Sequence, residues 1–564
     1  MPRMRRHWLF LVALVGAIAI RVLVMLAFRP IMWFGGDSAS YLSTALRLTP
    51  DPSRVGGYGF VLLLLRPSHS FVAVAAAQHA MGLAVGVLIY LLVRRYGLPG
   101  WAGTLAALPV FFDAYQLQLE QDVVPDITFE FLVMVAVFLV LWPAERRLVP
   151  VAGAALALGL AAIMWPVGLA LLVVLLVALL IWVLRLGAGA GSRAGAGSRA
   201  GAGSRAGAGS RAGAGSRAGA GSRAGAGSRA GAGSRAGAGA AGSADLGRAG
   251  RLAVLAAALV CGAVPILGYA AWFDVHEHQF MLTRSDGVFL WSRTMSFADC
   301  AVIKPPADEL ALCPRPGPRI ASSLYIWDGD SPLLRMPGGR FSARTNALAL
   351  NFAVRAIAAQ PGGYAAAVGH DIMLSFYWNR PVHPDAGIVD RYQFADSTTA
   401  WVPASMSSPG GSTVARDQAD YDGGATAATR AAGPFASWLV SYQKWIYLRG
   451  TPLGLILLAG LGLMIVRLRR GGHAARLPWF CAITILVVPP LTADFDLRYL
   501  VPAVPLACLA AALACAPGTP DAQRTWTTSP AATATLTGLP SAGEDTSSTS
   551  RPSGSTSTAL PDST

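Results

Sequence analysis

The apolar residues of this chain come in blocks, and most of the blocks are long enough to cross a lipid bilayer. They fall at 8–28, 71–93, 99–112, 123–142, 148–165, 167–184, 251–273, 452–467, 477–493 and 498–516. A helix of about 20 apolar residues matches the hydrocarbon thickness. Inside lipid every backbone N–H and C=O must be satisfied within the protein, which helices do unaided. Of the 564 residues, 54% are hydrophobic and only 13% charged, too apolar for an ordinary soluble domain of this length. The expected fold is an all-α polytopic membrane protein with about ten transmembrane helices. The run 57–65 is too short to cross alone and reads as an interfacial or re-entrant element.

The arginines order these blocks in the membrane. Arg3, Arg5 and Arg6 precede the first block, Arg94 and Arg95 follow the second, and Arg146 and Arg147 follow the fourth. Arg185 follows the sixth, and Arg467, Arg469, Arg470 and Arg476 join the eighth to the ninth. With ten crossings all of them lie on the side of the N-terminus, which the positive-inside rule makes cytoplasmic. The chain is therefore expected in the cell membrane as a multi-pass protein with both termini cytoplasmic. The net charge of +15 is topological by this account, and no nucleic-acid partner is expected. About half of that charge comes from eight arginines, Arg193 to Arg235, in one AGAGSR repeat. Glycine is costly in a helix and offers no side chain to pack, so the repeat reads as a disordered cytoplasmic loop. Its arginines have an alternative role against anionic membrane lipid.

The domain organisation follows. Residues 1–186 form an N-terminal transmembrane region with outer loops, 187–250 the repeat loop, and 251–273 one further transmembrane helix. Residues 274–450 form an extracytoplasmic domain, mainly helical, with an amphipathic pattern over 346–359 (Leu348, Leu350, Phe352, Val354, Ile357) and helices expected over about 364–377 and 434–447. Residues 451–516 return to the membrane, and 517–564, rich in Ser, Thr and Pro, should be disordered and cytoplasmic. Four of the six cysteines lie in apolar segments. Cys300 and Cys313 are the two in the polar domain, and an oxidising exterior would join them as a disulfide. No cleavable signal peptide is evident, because the first apolar run is long enough to span. His276-Glu277-His278 is not spaced as metal ligands on one helix face are.

Two acidic stretches lie just beyond apolar blocks, opposite the arginine clusters. The first is Gly35-Gly36-Asp37-Ser38; the second runs from Asp113 through Glu120 and Asp122 to Asp126. Arg21 is the main charge inside a crossing, either satisfied by another helix or contacting an anionic ligand. Gln78 and His79 suit helix–helix hydrogen bonds. Arg498, at the mouth of the last block, has the planar fork that suits a phosphate at headgroup depth. A carboxylate beside it would serve as general base on an acceptor hydroxyl. No nucleotide-binding glycine motif stands in a strand–helix context, so a lipid-carried donor fits better than a sugar nucleotide.

With these residues the chain resembles the GT-C class of membrane glycosyltransferases, the bacterial relatives of protein O-mannosyltransferases and lipid A aminoarabinose transferases. The resemblance rests on Gly36-Asp37-Ser38 followed by Tyr41, the acidic motif after the third block, and Arg498-Tyr499-Leu500-Val501-Pro502. It extends to Arg66-Pro67-Ser68-His69-Ser70-Phe71, Gln78-His79, Phe112-Asp113-Ala114, Gln118-Leu119-Glu120, Phe297-Ala298-Asp299-Cys300 and Ala359-Gln360-Pro361. It implies transfer of a sugar, for example mannose, from a polyprenyl-phosphate carrier to a protein, glycan or lipid acceptor, with inversion. It implies Asp37 as the catalytic base and Asp126 as the second acidic residue, although Pro125-Asp126 departs from the usual Ser-Asp or Ser-Glu. It implies Arg498, Tyr499, Arg21 and Glu120 as contacts to substrate or carrier phosphate. Where relatives carry a basic residue between the fifth and sixth helices, this chain has Trp165-Pro166, which leaves that phosphate contact either missing or moved to Arg498, Arg21 or Lys304. No cofactor is assigned: two or three carboxylates could bind a divalent cation or simply act as base and orienter. A catalytically silent envelope scaffold and a lipid or solute transporter are the alternatives.

Overall fold

The computed structural model describes residues 7–143, 147–194, 247–396, 406–424, 429–467 and 473–517, with 185–194 described by backbone alone. Helix α1 (Trp8–Ala27) runs into a two-residue strand, β1 (Phe28–Arg29), followed by α2 (Gly35–Arg47), α3 (Gly57–Leu65) and the long α4 (Phe71–Arg95). Then come α5 (Gly100–Phe112), α6 (Ala114–Gln121), α7 (Asp126–Leu141), α8 (Leu148–Met164) and α9 (Val167–Ala194). The chain resumes with α10 (Arg248–Glu277). The polar domain holds α11 (Asp286–Thr294), α12 (Cys300–Ile303), α13 (Ser322–Trp327), α14 (Ala343–Ala359), α15 (Pro361–Leu374), α16 (Ala386–Asp390) and α17 (Val414–Tyr421). Strand β2 (Arg430–Ala431) precedes α18 (Phe435–Trp445), α19 (Gly450–Val466), α20 (Arg476–Thr492), α21 (Leu497–Leu500) and α22 (Ala503–Ala514). The two strands pair antiparallel, Phe28 with Ala431 and Arg29 with Arg430.

The described chain is mostly helical, and five stretches are long and apolar enough to cross a membrane: Trp8–Ala27, Phe71–Arg95, Val167–Leu184, Arg248–Glu277 and Leu497–Ala514. A sixth results if α18 and α19, bent by 51°, are one broken span. The other apolar blocks are shorter helices. At 1.5 Å per residue the 17 residues of α8 or α20 rise about 25 Å, less than a hydrocarbon core of about 30 Å. The fourth block loses its first residues to the loop before α7. The exterior of the long helices is apolar: Val12, Val15 and Val22 on α1 and Val260, Val264 and Leu267 on α10 are exposed. Contiguous surface of this kind needs an apolar environment, which lipid supplies. The expected repeat loop 187–250 is trimmed at both ends, since α9 continues to Ala194 and α10 begins at Arg248. Residues 195–246 and the tail from 518 lie outside the described residues.

Helix packing inside the apolar body uses small residues for close approach, as membrane helices do. Gly159 of α8 lies on Gly262 of α10, where a Cβ would stand 2.3 Å from the Gly262 carbonyl oxygen. The polar domain has its own core of Trp291, Met295, Leu312 and Phe352, with Trp291 Nε1 donating to the Leu312 carbonyl at 3.0 Å. A disulfide joins Cys300 to Cys313 beside it. In α14 the buried face is Thr345, Ala349, Phe352, Ala353 and Ala356, whereas Leu350 and Val354 are exposed. Small residues win that face because α11 comes close: Gly287 donates its N–H to Asn346 Oδ1 at 2.8 Å and leaves no room for a side chain there.

Candidate functional site

A short backbone seam brings the two acidic stretches together. The Met32 N–H donates to the Gln121 carbonyl at 2.9 Å, and the Val123 N–H donates to the Met32 carbonyl at 3.1 Å. Ser38 then fastens the start of α2 to this seam, its hydroxyl donating to the Val123 carbonyl at 2.9 Å and accepting from Phe34 N–H at 2.8 Å. The turn into α2 needs a left-handed residue at Gly35, with φ of 52°. Asp37 sits in the first turn of α2 and Asp126 in the first turn of α7, so the seam sets both carboxylates at neighbouring helix starts.

Arg498, carried by α21, joins them. Its Nε and Nη2 donate to the two Asp126 oxygens at 3.1 and 2.8 Å, and its Nη1 donates to Asp37 Oδ2 at 2.7 Å. The helix that carries it is capped by Asp496, which also accepts from the Tyr392 hydroxyl at 2.5 Å. Phe34 and Trp165 face the Arg498 guanidinium, with ring centroids 5.2 and 5.3 Å from its carbon. Tyr499 meets the Trp165 ring edge-on at 5.0 Å. Trp165, which the resemblance would have as a basic residue, thus stacks on the Arg498 guanidinium.

A second arginine completes the cluster. Arg54, in the loop between α2 and α3, donates through Nη1 to Asp37 Oδ1. The two carboxylates differ in exposure: Asp37 retains 27% of its side-chain surface, Asp126 only 2%. Burial would raise the Asp37 pKa, but Arg54 and Arg498 outweigh it and hold the carboxyl below its ordinary value. Asp37 is therefore an ionised, reachable carboxylate clasped by two cations.

The remaining expected contacts lie elsewhere. Arg21 and Glu120 form a sealed pair, 2% and 0% exposed, at 2.7 Å. The other Arg21 donors go to the carbonyls of Ala17, Val110 and Phe111, which leaves none for a phosphate. His79 Nδ1 lies 2.7 Å from Glu120 Oε2, and Gln116 donates to Glu120 Oε1 at 3.1 Å. The pair holds α1, α4 and α6 together, so neither residue contacts the Arg498 cluster. Lys304 ends α12 and is exposed in the polar domain. The acidic neighbours of Asp126 are buried and structural: Asp113 caps α6 and accepts from Leu448 N–H at 2.7 Å, and Asp122 accepts from Gln118. Gln360 accepts from Asp299 N–H at 2.9 Å, which ties the two polar-domain motifs of the resemblance to each other.

Arg54 carries no signal in the sequence, being one of several loop basic residues. The stacking role of Trp165 was equally hidden, because its partner is far along the chain. Asp37 and Asp126 face guanidinium groups, and among the described residues no group of three or more His, Cys, Asp or Glu side chains is arranged to hold a metal ion. No family model matches the chain, nor does a curated protein or a solved structure.

Proposed function

We propose that the chain is a membrane glycosyltransferase of GT-C type that transfers a sugar from a polyprenyl-phosphate carrier to a cell-envelope acceptor at the outer face of the membrane. The observation that carries this reading is the Asp37–Arg498–Asp126 cluster, with its one reachable carboxylate between two arginines. The ten apolar blocks and the one-sided arginines support a topology with cytoplasmic termini and this cluster outside.

The chemistry follows from the two kinds of group. Asp37 takes the proton of the acceptor hydroxyl as that oxygen bonds to the anomeric carbon. The bond from this carbon to the phosphate oxygen breaks on the opposite face, and the phosphate leaves with the electron pair, inverting the centre. Arg54 and Arg498 trade part of their contact with Asp37 for the phosphate oxygens and stabilise the departing charge. Asp126 keeps Arg498 oriented.

The test is transfer from a panel of purified polyprenyl-phosphate sugars by wild type and by Asp37→Asn, both purified and folded in detergent. The variant is expected to lose transfer completely while keeping its thermal transition. Wild-type rates in the variant would end the assignment. A wild-type chain that binds lipid-linked sugar without turnover would favour the scaffold alternative.

A further inference from the structure

Two arginines outside the Arg498 cluster share one aromatic ring and have no counter-ion. Arg380, between α15 and α16, faces the rings of Tyr115 and Tyr447, whose centroids lie 5.6 and 5.4 Å from its guanidinium carbon. Arg449, the residue before α19, faces the same Tyr447 at 4.7 Å and Trp378 at 5.2 Å. Among the described residues neither pairs with a carboxylate; their hydrogen bonds go to neutral oxygens. Arg380 Nη2 donates to the Leu448 carbonyl at 2.6 Å, and Arg449 Nη1 donates to Asn379 Oδ1 at 2.7 Å and to the Tyr447 hydroxyl at 2.8 Å. Asp113 acts on Arg380 only from a distance, since its oxygens accept from the N–H groups of Tyr115 and Leu448. Burial holds the Arg380 pKa below its ordinary value, with Asp113 opposing the fall and Arg449 adding to it. Two like charges against one ring repel until an anion joins them.

Donors for that anion are within reach. Arg380 Nε is sealed in, but Arg380 Nη1 and Arg449 Nε and Nη2 are open and have no partner among the described residues. On Arg449 the two open nitrogens form the side-on edge of the guanidinium, which receives two oxygens of one phosphate.

The surroundings say where the phosphate comes from. Arg449 opens the apolar helix α19, whose first N–H, from Gly450, donates to the Tyr377 carbonyl of the polar domain at 3.1 Å. Trp378, Trp445 and Ile446 are exposed, and in the next turns of α19 so are Leu455 and Leu458. Aromatic residues giving way to aliphatic ones mark the headgroup boundary of a bilayer, the depth at which lipid phosphates lie. A choline or ethanolamine headgroup would bring its own cation against the two arginines, which an anionic headgroup does not.

We propose that Arg380 and Arg449 form a site for an anionic phospholipid on the polar-domain side of the membrane, with the phosphate on the open edge of Arg449 and the headgroup against Trp378. The site shares no residue with the Asp37–Arg498–Asp126 cluster and does not depend on the transfer reading.

The experiment is native mass spectrometry of the full chain in detergent, titrated with phosphatidylglycerol and with phosphatidylcholine of the same acyl chains. Phosphatidylglycerol is expected to bind about five-fold more tightly or better, the order of one arginine's attraction to an anionic lipid. Arg449→Gln should remove that preference. Arg344→Gln, which takes an exposed charge from α14, should keep it, as should Asp37→Asn. Trp378→Ala changes an exposed side chain, leaves both charges in place and should weaken phosphatidylglycerol binding, so the proposal is tested even if Arg449→Gln does not fold. Soluble glycerol 3-phosphate, which has the phosphate without the acyl chains, should not displace the lipid at equal concentration. Equal binding of the two lipids, an unchanged preference in Arg449→Gln, unchanged binding in Trp378→Ala, loss of the preference in Arg344→Gln or Asp37→Asn, or displacement by glycerol 3-phosphate would each overturn the proposal.

Discussion

Arg498 meets Asp126 side-on, with Nε and Nη2 at 3.1 and 2.8 Å from the two oxygens of one carboxylate, and turns its remaining nitrogen to Asp37 at 2.7 Å. A single guanidinium thereby links the start of α2 to the start of α7 from a third element, α21. The fork makes this possible, because a point charge on a flexible stem holds no such fixed angle between two carboxylates. Phe34 and Trp165 against the guanidinium narrow its freedom further.

Arg498→Lys is accordingly not a conservative change. The charge stays, but the side-on pair with Asp126 is lost. We expect transfer to fall on the order of 100-fold, the usual cost of removing one oriented donor at a site where charge develops. Transfer rates from the lipid-linked donor, set beside thermal unfolding in detergent, check this. A rate within a factor of three of wild type would mean that orientation by Asp126 is irrelevant.

Arg54 offers a test with a sign. It and Arg498 hold the Asp37 carboxyl below its ordinary pKa against the opposing effect of burial. Arg54→Ala removes one of these cations, so the Asp37 pKa rises. In the proposed transfer Asp37 acts as base only when ionised, and the acid limb of the pH–rate profile should therefore move to higher pH. A limb that stays in place, or moves to lower pH, would show that Asp37 is not the titrating base.

The sealed Arg21–Glu120 pair makes a prediction about stability. At Gly82 of α4 a Cβ would stand 1.9 Å from Glu120 Oε1 and 3.0 Å from Arg21 Nη2. Gly82→Ala must push one member of a buried ion pair aside, at a cost of about 3 kcal/mol or more. Gly462 of α19 is the control, since nothing lies within 4 Å of its Cβ position. Gly462→Ala should be neutral or gain up to about 1 kcal/mol from helix propensity. Paired thermal melts decide, and equal effects would dismiss the ion pair as a structural clamp.

How much of this was legible in the sequence depends on range. Hydropathy and helix-stop residues marked most helices, because both are local signals. The order of Asp37, Asp126 and Arg498 along the chain suggested a shared outer site, but not that one arginine would bridge both carboxylates. The sequence leaves Arg21 between a structural and a ligand role, because its partner Glu120 is 99 residues away, a distance that no periodicity spans. Arg54 carries no sequence signal for a similar reason, since its meaning depends on how the loop after α2 folds back onto Asp37. In α14 the large apolar residues misled, because a close helix neighbour selects small side chains and leaves Leu350 and Val354 outside.

Asp496 connects the fold of the site to pH. It caps α21, accepting from Arg498 N–H at 3.4 Å, and it accepts from the Tyr392 hydroxyl. Burial pushes its carboxyl up to about 6 from an ordinary 3.8, against the opposing pull of Arg498 and Tyr392. The folded state therefore holds this proton more tightly than the unfolded chain. The resulting stabilisation is complete below about pH 4 and is lost as the pH rises through 6. Asp496→Asn keeps the shape and fixes the group neutral, so it lacks this dependence. The stability of wild type relative to Asp496→Asn should fall by up to about 3 kcal/mol between pH 4 and pH 7.5. Unfolding midpoints of the two proteins across that range measure the difference directly, and a flat difference would mean that the carboxyl is already ionised at the lower end.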